Sequence, residues 1–153
     1  MAAPLLLDTT VYIDALKRRL PAAAARAMAL AVCHHSCVCL AELTHAFGRL
    51  DPRHPGTGPA WRQIRGIISE MPPYRLFAPD PDTWGTAGIL AGIVFRLSGY
   101  STGQERACLN DALIYLQARK LGCTVLTRNA ADFDRLQQLV PDGRILLYRP
   151  LQP

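Results

Sequence analysis

NDALIYLQARKLGCTVLTRNAADF, residues 110–133, holds a helix, a strand and the start of a second helix in succession. Ala112, Leu113 and Leu116 give the first segment an apolar face at helical spacing. Gly122 then ends it, as a glycine just past a helix commonly does. Thr124 to Thr127 is short, apolar and β-branched, which predicts a buried strand. Asn129 stands where a cap for the next helix belongs, with Phe133 as its buried anchor. A strand held between two helices by tight connections is the unit of a parallel sheet with right-handed crossovers and helices on its faces.

The same alternation extends outward. Leu5 to Leu7 reads as a buried strand, and TTVYIDALKRR as a helix with Val11, Ala15 and Leu16 on one face and Thr9 or Thr10 as cap. Pro21 opens an alanine-rich helix, where proline in the first turn costs no hydrogen bond. CVCL, residues 37–40, is expected as the second strand, with a helix from about residue 41 to 50. DPRHPGTGP, residues 51–59, reads as a loop. A helix over 60–71, a third strand in YRLFA and a glycine-containing helix over 82–99 follow. PDGRILLY closes with a turn and a last strand. The expectation is an α/β chain: a central parallel sheet of four or five strands flanked by helices, in one domain over residues 1–153.

Half of the 153 residues are hydrophobic and 19% are charged, enough for one substantial core. The formal net charge is +5. A basic surface around an acidic pocket suits a polyanionic substrate held near a metal, although basic charge alone also fits an ordinary solvated surface. MAAPLLLD lacks a basic leader and a long apolar run, so neither a signal peptide nor a spanning helix is expected. The five cysteines are an odd number without a regular framework, which fits a reducing cytoplasm.

Four acids occupy the ends of strands or the starts of helices: Asp8, Glu42, Asp111 and Asp132. In an open parallel sheet such positions converge beyond the carboxyl ends of the strands. Clustered carboxylates favour a hard divalent cation, Mg²⁺ or Mn²⁺. Each acid has a plainer explanation: Asp8 as a cap of the following helix, Glu42 and Asp132 as dipole partners of theirs. Asp111 lies in the expected first turn of a strongly apolar helix, on the shoulder facing the sheet edge. Asp14 and Asp134 rank lower, Asp14 as a surface charge or a local electrostatic partner of its helix. Thr9, Thr127 and Asn129 are expected to hydrogen-bond the carboxylates and fix their rotamers. Lys17, Arg18, Arg19 and Arg128 are candidate phosphate contacts.

CHHSCVC invites a zinc reading, but no second ligand doublet follows at a suitable distance. Strand alternation would instead bury Cys37 and Cys39 as small apolar residues. No lysine follows the last strand as a phosphoacceptor receiver domain requires. The first strand is followed by Asp8-Thr9-Thr10, not the Asp-x-Asp of a haloacid-type phosphatase. A glycine-rich phosphate loop and a serine elbow are absent too.

The order LLLDTTVYIDAL, CLAELTHAF, NDALIYLQARKLGCTVLTRNAADFDRL resembles a PIN-domain protein of the VapC toxin type. The resemblance implies a three-layer PIN-like fold and an acidic metal site at Asp8, Glu42, Asp111 and Asp132. It also implies a homodimer and a small VapB-type antitoxin covering the crevice. Two departures stand out: Asn129 replaces an acid carried by many relatives, and GYSTGQERACLN is a longer, more polar lead-in to Asp111. The expected function is cleavage of RNA phosphodiester bonds with Mg²⁺ or Mn²⁺, as the toxin of a type II pair. The alternatives are a non-catalytic RNA- or protein-binding module and a DNA- or structure-specific nuclease.

Overall fold

The computed structural model describes residues 2–153. The chain runs β1 (Leu5–Leu7), α1 (Thr9–Leu16), α2 (Ala22–Leu30), β2 (Cys33–Ser36), α3 (Cys37–Gly48) and α4 (Thr57–Ser69). It continues with β3 (Leu76–Phe77), α5 (Pro81–Ser98), α6 (Glu105–Lys120), β4 (Thr124–Thr127), α7 (Ala130–Leu139) and β5 (Arg144–Leu147). All pairings are parallel, in the order β3-β2-β1-β4-β5. The α/β expectation with a parallel sheet therefore holds.

Leu5, Leu6 and Leu7 are all buried. Successive strand residues point to opposite faces, so burial of all three means that β1 is covered on both sides. Its register sets Leu6 against His34 on one side and Val125 on the other. Below the sheet, Leu113, Ile114 and Tyr115 of α6 and Phe133 and Leu136 of α7 are almost wholly buried. The strand order reverses direction between β1 and β4, so the loops after these two neighbours diverge and leave a crevice at their carboxyl ends.

Four boundaries differ from the sequence reading. The second strand is CHHS, not CVCL: the Ser36 hydroxyl accepts from the Val38 N–H at 3.1 Å and caps α3, so the chain turns helical at Cys37. Alternation therefore does not apply to Cys37 and Cys39; Cys39 is buried on a helix and donates its thiol to the Leu7 carbonyl at 3.4 Å, while Cys37 is half-buried. Helix α4 starts inside the expected loop, with Pro59 tolerated in its first turn. Helix α6 starts at Glu105, so much of the polar lead-in is helical and Asp111 lies in the second turn. Glu42 likewise lies in the second turn of α3.

Candidate active site

Asp8 directly follows β1 and occupies the N-cap position of α1, but its side chain makes no capping bond. Its Oδ2 instead accepts from the hydroxyls of Thr10 at 2.7 Å and Thr127 at 2.8 Å. The capping explanation is thereby removed. Asp8 is only 3% exposed, and burial raises its pKa, partly offset by the two threonine hydroxyls.

Glu42 enters from α3. Thr9 donates its hydroxyl to Glu42 Oε2, and the Asn110 amide donates to Oε1 at 2.9 Å. Asp111, the next residue on α6, has its pKa held well above the ordinary carboxylate range, first by burial and then by the charges of Asp8, Asp132 and Glu42. Asn129 bridges two acids, donating to Asp111 Oδ2 at 3.2 Å and Asp132 Oδ2 at 2.9 Å. Its own Oδ1 caps α7. A neutral amide with two hydrogens thus holds a pair of carboxylates at a place where another acid would repel both.

Asp132 has company that sequence reasoning missed. Tyr100 donates its hydroxyl to Asp132 Oδ1, and Arg135 lies 3.5 Å from that oxygen and 2.9 Å from the Tyr100 hydroxyl. The Arg135 at i+3 on the helix was a readable signal. Tyr100 offered none, because only the fold brings the α5–α6 connection to α7. Among the described residues, Asp8, Glu42 and Asp111 have no lysine or arginine within ion-pair distance.

The four acids, Thr9, Thr127 and Asn129 therefore come together in two adjacent hydrogen-bonded sets, Thr9–Glu42–Asn110 and Asp8–Thr127–Asn129 with Asp111 and Asp132. The basic candidates do not. Helix α1 starts at the cluster and carries Lys17 and Arg18 to its far end, about 12 Å along at 1.5 Å per residue. Arg19 donates its Nε to the Leu151 carbonyl at 3.0 Å. Arg128 sits 3.0 Å from Asp14, which is fully buried rather than on the surface. Tyr148 holds the same Asp14 Oδ2 at 2.8 Å.

Oxygen donors, excess negative charge and a buried and a half-buried carboxylate without a cation, Asp8 and Asp111, suit a hard divalent ion. As the side chains stand, no three Asp, Glu, His or Cys groups among the described residues form a ready-made metal-binding set. Thr9, Asn110 and Asn129 hydrogen-bond the carboxylates that would hold the ion.

A parallel five-stranded sheet with a carboxylate cluster at its switch point defines the class: an α/β fold of the kind found in toxin-antitoxin complexes. The chain shares its fold with VapBC2 of Rickettsia felis, solved with a promoter DNA fragment, at TM-score 0.66 and 17% identity over 95% of this chain and 98% of that one. A DNA-bound VapBC from Salmonella typhimurium gives TM-score 0.65 and 20% identity over 95% and 98%. VapBC-5 of Mycobacterium tuberculosis gives 0.62 and 19% over 96% and 100%. The VapC-type resemblance of the sequence is thus matched by the fold. No family model and no curated protein sequence matches the chain.

Proposed function

We propose that this chain is a metal-dependent endoribonuclease acting as the toxin of a type II toxin-antitoxin pair. The observation that carries the reading is the pair Asp8, buried, and Asp111, half-buried, each beside the charge of other carboxylates and, among the described residues, without a cationic partner. Such an arrangement is costly unless a cation completes it. Asp8, Glu42, Asp111 and Asp132 would hold Mg²⁺ or Mn²⁺. When bound, the ion supplies neutralising charge at the scissile phosphate and lowers the pKa of an attacking water.

The chain's own residues supply the rest. Thr10 and Thr127 fix the Asp8 carboxylate, and Thr9 and Asn110 fix Glu42. Asn129 holds Asp111 and Asp132 in a common frame. One of these carboxylates orients the water for in-line attack. The VapBC neighbours support a VapB-type antitoxin as partner; a homodimer in the cytoplasm completes the proposal. Among the described residues no helix is long and apolar enough to cross a membrane.

The test is digestion of a total-RNA pool by wild type and Asp111→Asn with Mg²⁺, with Mn²⁺ and with chelator, sequencing the new ends. Discrete metal-dependent cuts that vanish in the variant are expected. Equal backgrounds in every lane would favour a non-catalytic binding module. Cuts confined to a parallel DNA digest would favour a DNA-directed nuclease.

A further inference from the structure

We infer that Arg106 and His45 form a docking site for a substrate phosphate beside the acidic cluster, next to the bond to be cut. The inference rests on the nuclease reading for its substrate. A cavity of about 200 Å³ is lined by Ala41, Glu42, His45, Arg106 and Asn110. Two of its walls, Glu42 and Asn110, belong to the acidic cluster and are bonded to each other. The cavity is thus a direct side extension of the crevice.

Its other polar walls are a guanidinium and an imidazole. Arg106, in the first turn of α6, places Nη1 3.3 Å from Nε2 and 3.5 Å from Nδ1 of His45 on α3. The guanidinium thus has an imidazole, not an anion, for its neighbour. Both side chains are exposed, and among the described residues neither has a carboxylate within ion-pair distance. The other arginines near the cluster are engaged: Arg135 with Asp132, and Arg128 with Asp14.

Glu42 does not occupy Arg106 either, because its two oxygens face Thr9 and Asn110. What remains is a planar fork of donors beside an imidazole, open to solvent, at the lip of a negative crevice. Arginine forks match phosphate oxygens in two-point geometry, and histidine adds a second donor when protonated. A polyanion approaching clustered carboxylates is repelled, and a cationic rim offsets that repulsion where the chain enters. This assigns the positioning role to residues from α3 and α6 in place of Lys17, Arg18 and Arg19.

The experiment measures affinity for a single-stranded oligoribonucleotide by fluorescence anisotropy at several salt concentrations, with Ca²⁺ present, for wild type, Arg106→Ala, Arg106→Lys, His45→Ala and Lys17→Ala. Cleavage with Mg²⁺ is run in parallel. Arg106→Ala should weaken binding about tenfold and lower the salt slope by about 0.7, the value of one lost phosphate contact on a single strand. Arg106→Lys should restore the slope and part of the affinity, since charge survives but the fork does not. His45→Ala should weaken binding less, and Lys17→Ala should not change the slope. In cleavage, Arg106→Ala should raise KM far more than it lowers kcat.

Unchanged affinity and slope in Arg106→Ala, or a loss confined to Lys17→Ala, overturns the site. Wild-type binding with the expected Arg106 effect but without cleavage would keep the phosphate site and remove the nuclease reading. Wild type that neither binds nor cleaves RNA removes both.

Discussion

The Thr127 hydroxyl lies 2.8 Å from Asp8 Oδ2, tying the end of β4 to the end of β1 across the switch point of the sheet. Thr127 is fully buried, and its oxygen also accepts the Asn129 N–H at 3.0 Å. One hydroxyl therefore orients both an acid of the cluster and the residue that bridges two others.

Thr127→Val keeps the shape and removes both bonds. Cleavage should fall at least tenfold, with the half-saturating Mg²⁺ concentration rising, as is usual when a hydrogen-bond partner of a metal-holding group is lost. The orphaned Asn129 N–H should cost about 1–2 kcal/mol of stability. Thr127→Ser retains the hydroxyl and should stay near wild type in a Mg²⁺ titration of the rate. A wild-type rate in Thr127→Val together with a loss in Thr127→Ser would trace the effect to the methyl contact and not to the hydroxyl.

The acidic cluster of the metal-free protein should contribute more stability as the pH falls toward 3.8, against the contribution of the desolvated His34 and His35 imidazoles, which runs the other way below 6.5. Burial raises the pKa of Asp8, and burial plus neighbouring charge raises that of Asp111. An acid whose folded pKa is raised binds its proton more tightly when folded. Its stabilising contribution is complete below the unfolded value of 3.8 and is lost as pH rises through the folded pKa. Asp80 works in the opposite sense: its pKa is lowered to about 2 by Lys120, and its contribution is lost only at more acidic pH. Thermal melts with chelator should show the rise, and saturating Mg²⁺ should flatten it. An Asp111→Asn protein whose chelated melting point follows the same pH curve as wild type would exclude the cluster as the dominant titrating unit.

Asp8 and Asp132 were legible because they follow strand ends, where the hydrophobic pattern changes to a helical one, whereas Glu42 and Asp111 lie a turn further into their helices. LLLD and TVLT–RN mark strand ends without any three-dimensional knowledge. The second strand was misread because CHHS and CVCL are both short, and residues 37–40 are the more apolar. Ser36 decided the matter through a local cap that propensity does not weigh. Asp14 was placed at the surface because its burial depends on Arg128 and Tyr148, partners that lie beyond β4 and β5. Arg106 was unreadable for the same reason: its neighbour His45 lies on another helix, and the two meet only through α3 packing on α6.

Arg128→Ala should be a stability variant, not primarily a substrate-binding one. Asp14 is fully buried, with Arg128 Nε and the Tyr148 hydroxyl at its Oδ2. Removing the arginine leaves a buried carboxylate on a single hydrogen bond. A wholly buried pair would cost about 3–5 kcal/mol, and the one-third exposure of Arg128 reduces this to about 2 kcal/mol. Tyr148→Phe should cost about 1 kcal/mol. The two should be non-additive in a denaturant double-mutant cycle, because both act on one oxygen. A full-stability Arg128→Ala protein with weakened RNA binding would return this arginine to the substrate.

Gly143→Ala tests how α7 is held. Gly143 is buried in the turn before β5, and a methyl built on it would overlap the Tyr115 ring and hydroxyl. Its φ is not positive, so the requirement is for space, not for a left-handed backbone. Tyr115 cannot yield freely. Its hydroxyl donates to the Val140 carbonyl at 2.5 Å, and its ring packs edge-on against Phe133. Gln137 also donates to the Gly143 carbonyl at 2.9 Å, so the turn is pinned from the helix side. The alanine should therefore cost about 2 kcal/mol as an overpacked contact. Tyr115→Phe should not relieve it, since ring carbons are overlapped as well as the oxygen. In a Tyr115→Leu background the same alanine should cost measurably less, a coupling that denaturant unfolding of the four proteins would reveal. Equal costs in both backgrounds would mean that the turn, and not the tyrosine, requires the glycine. Because Phe133 and Asp132 are neighbours on α7, the displaced ring should also weaken cleavage beyond what the stability loss predicts.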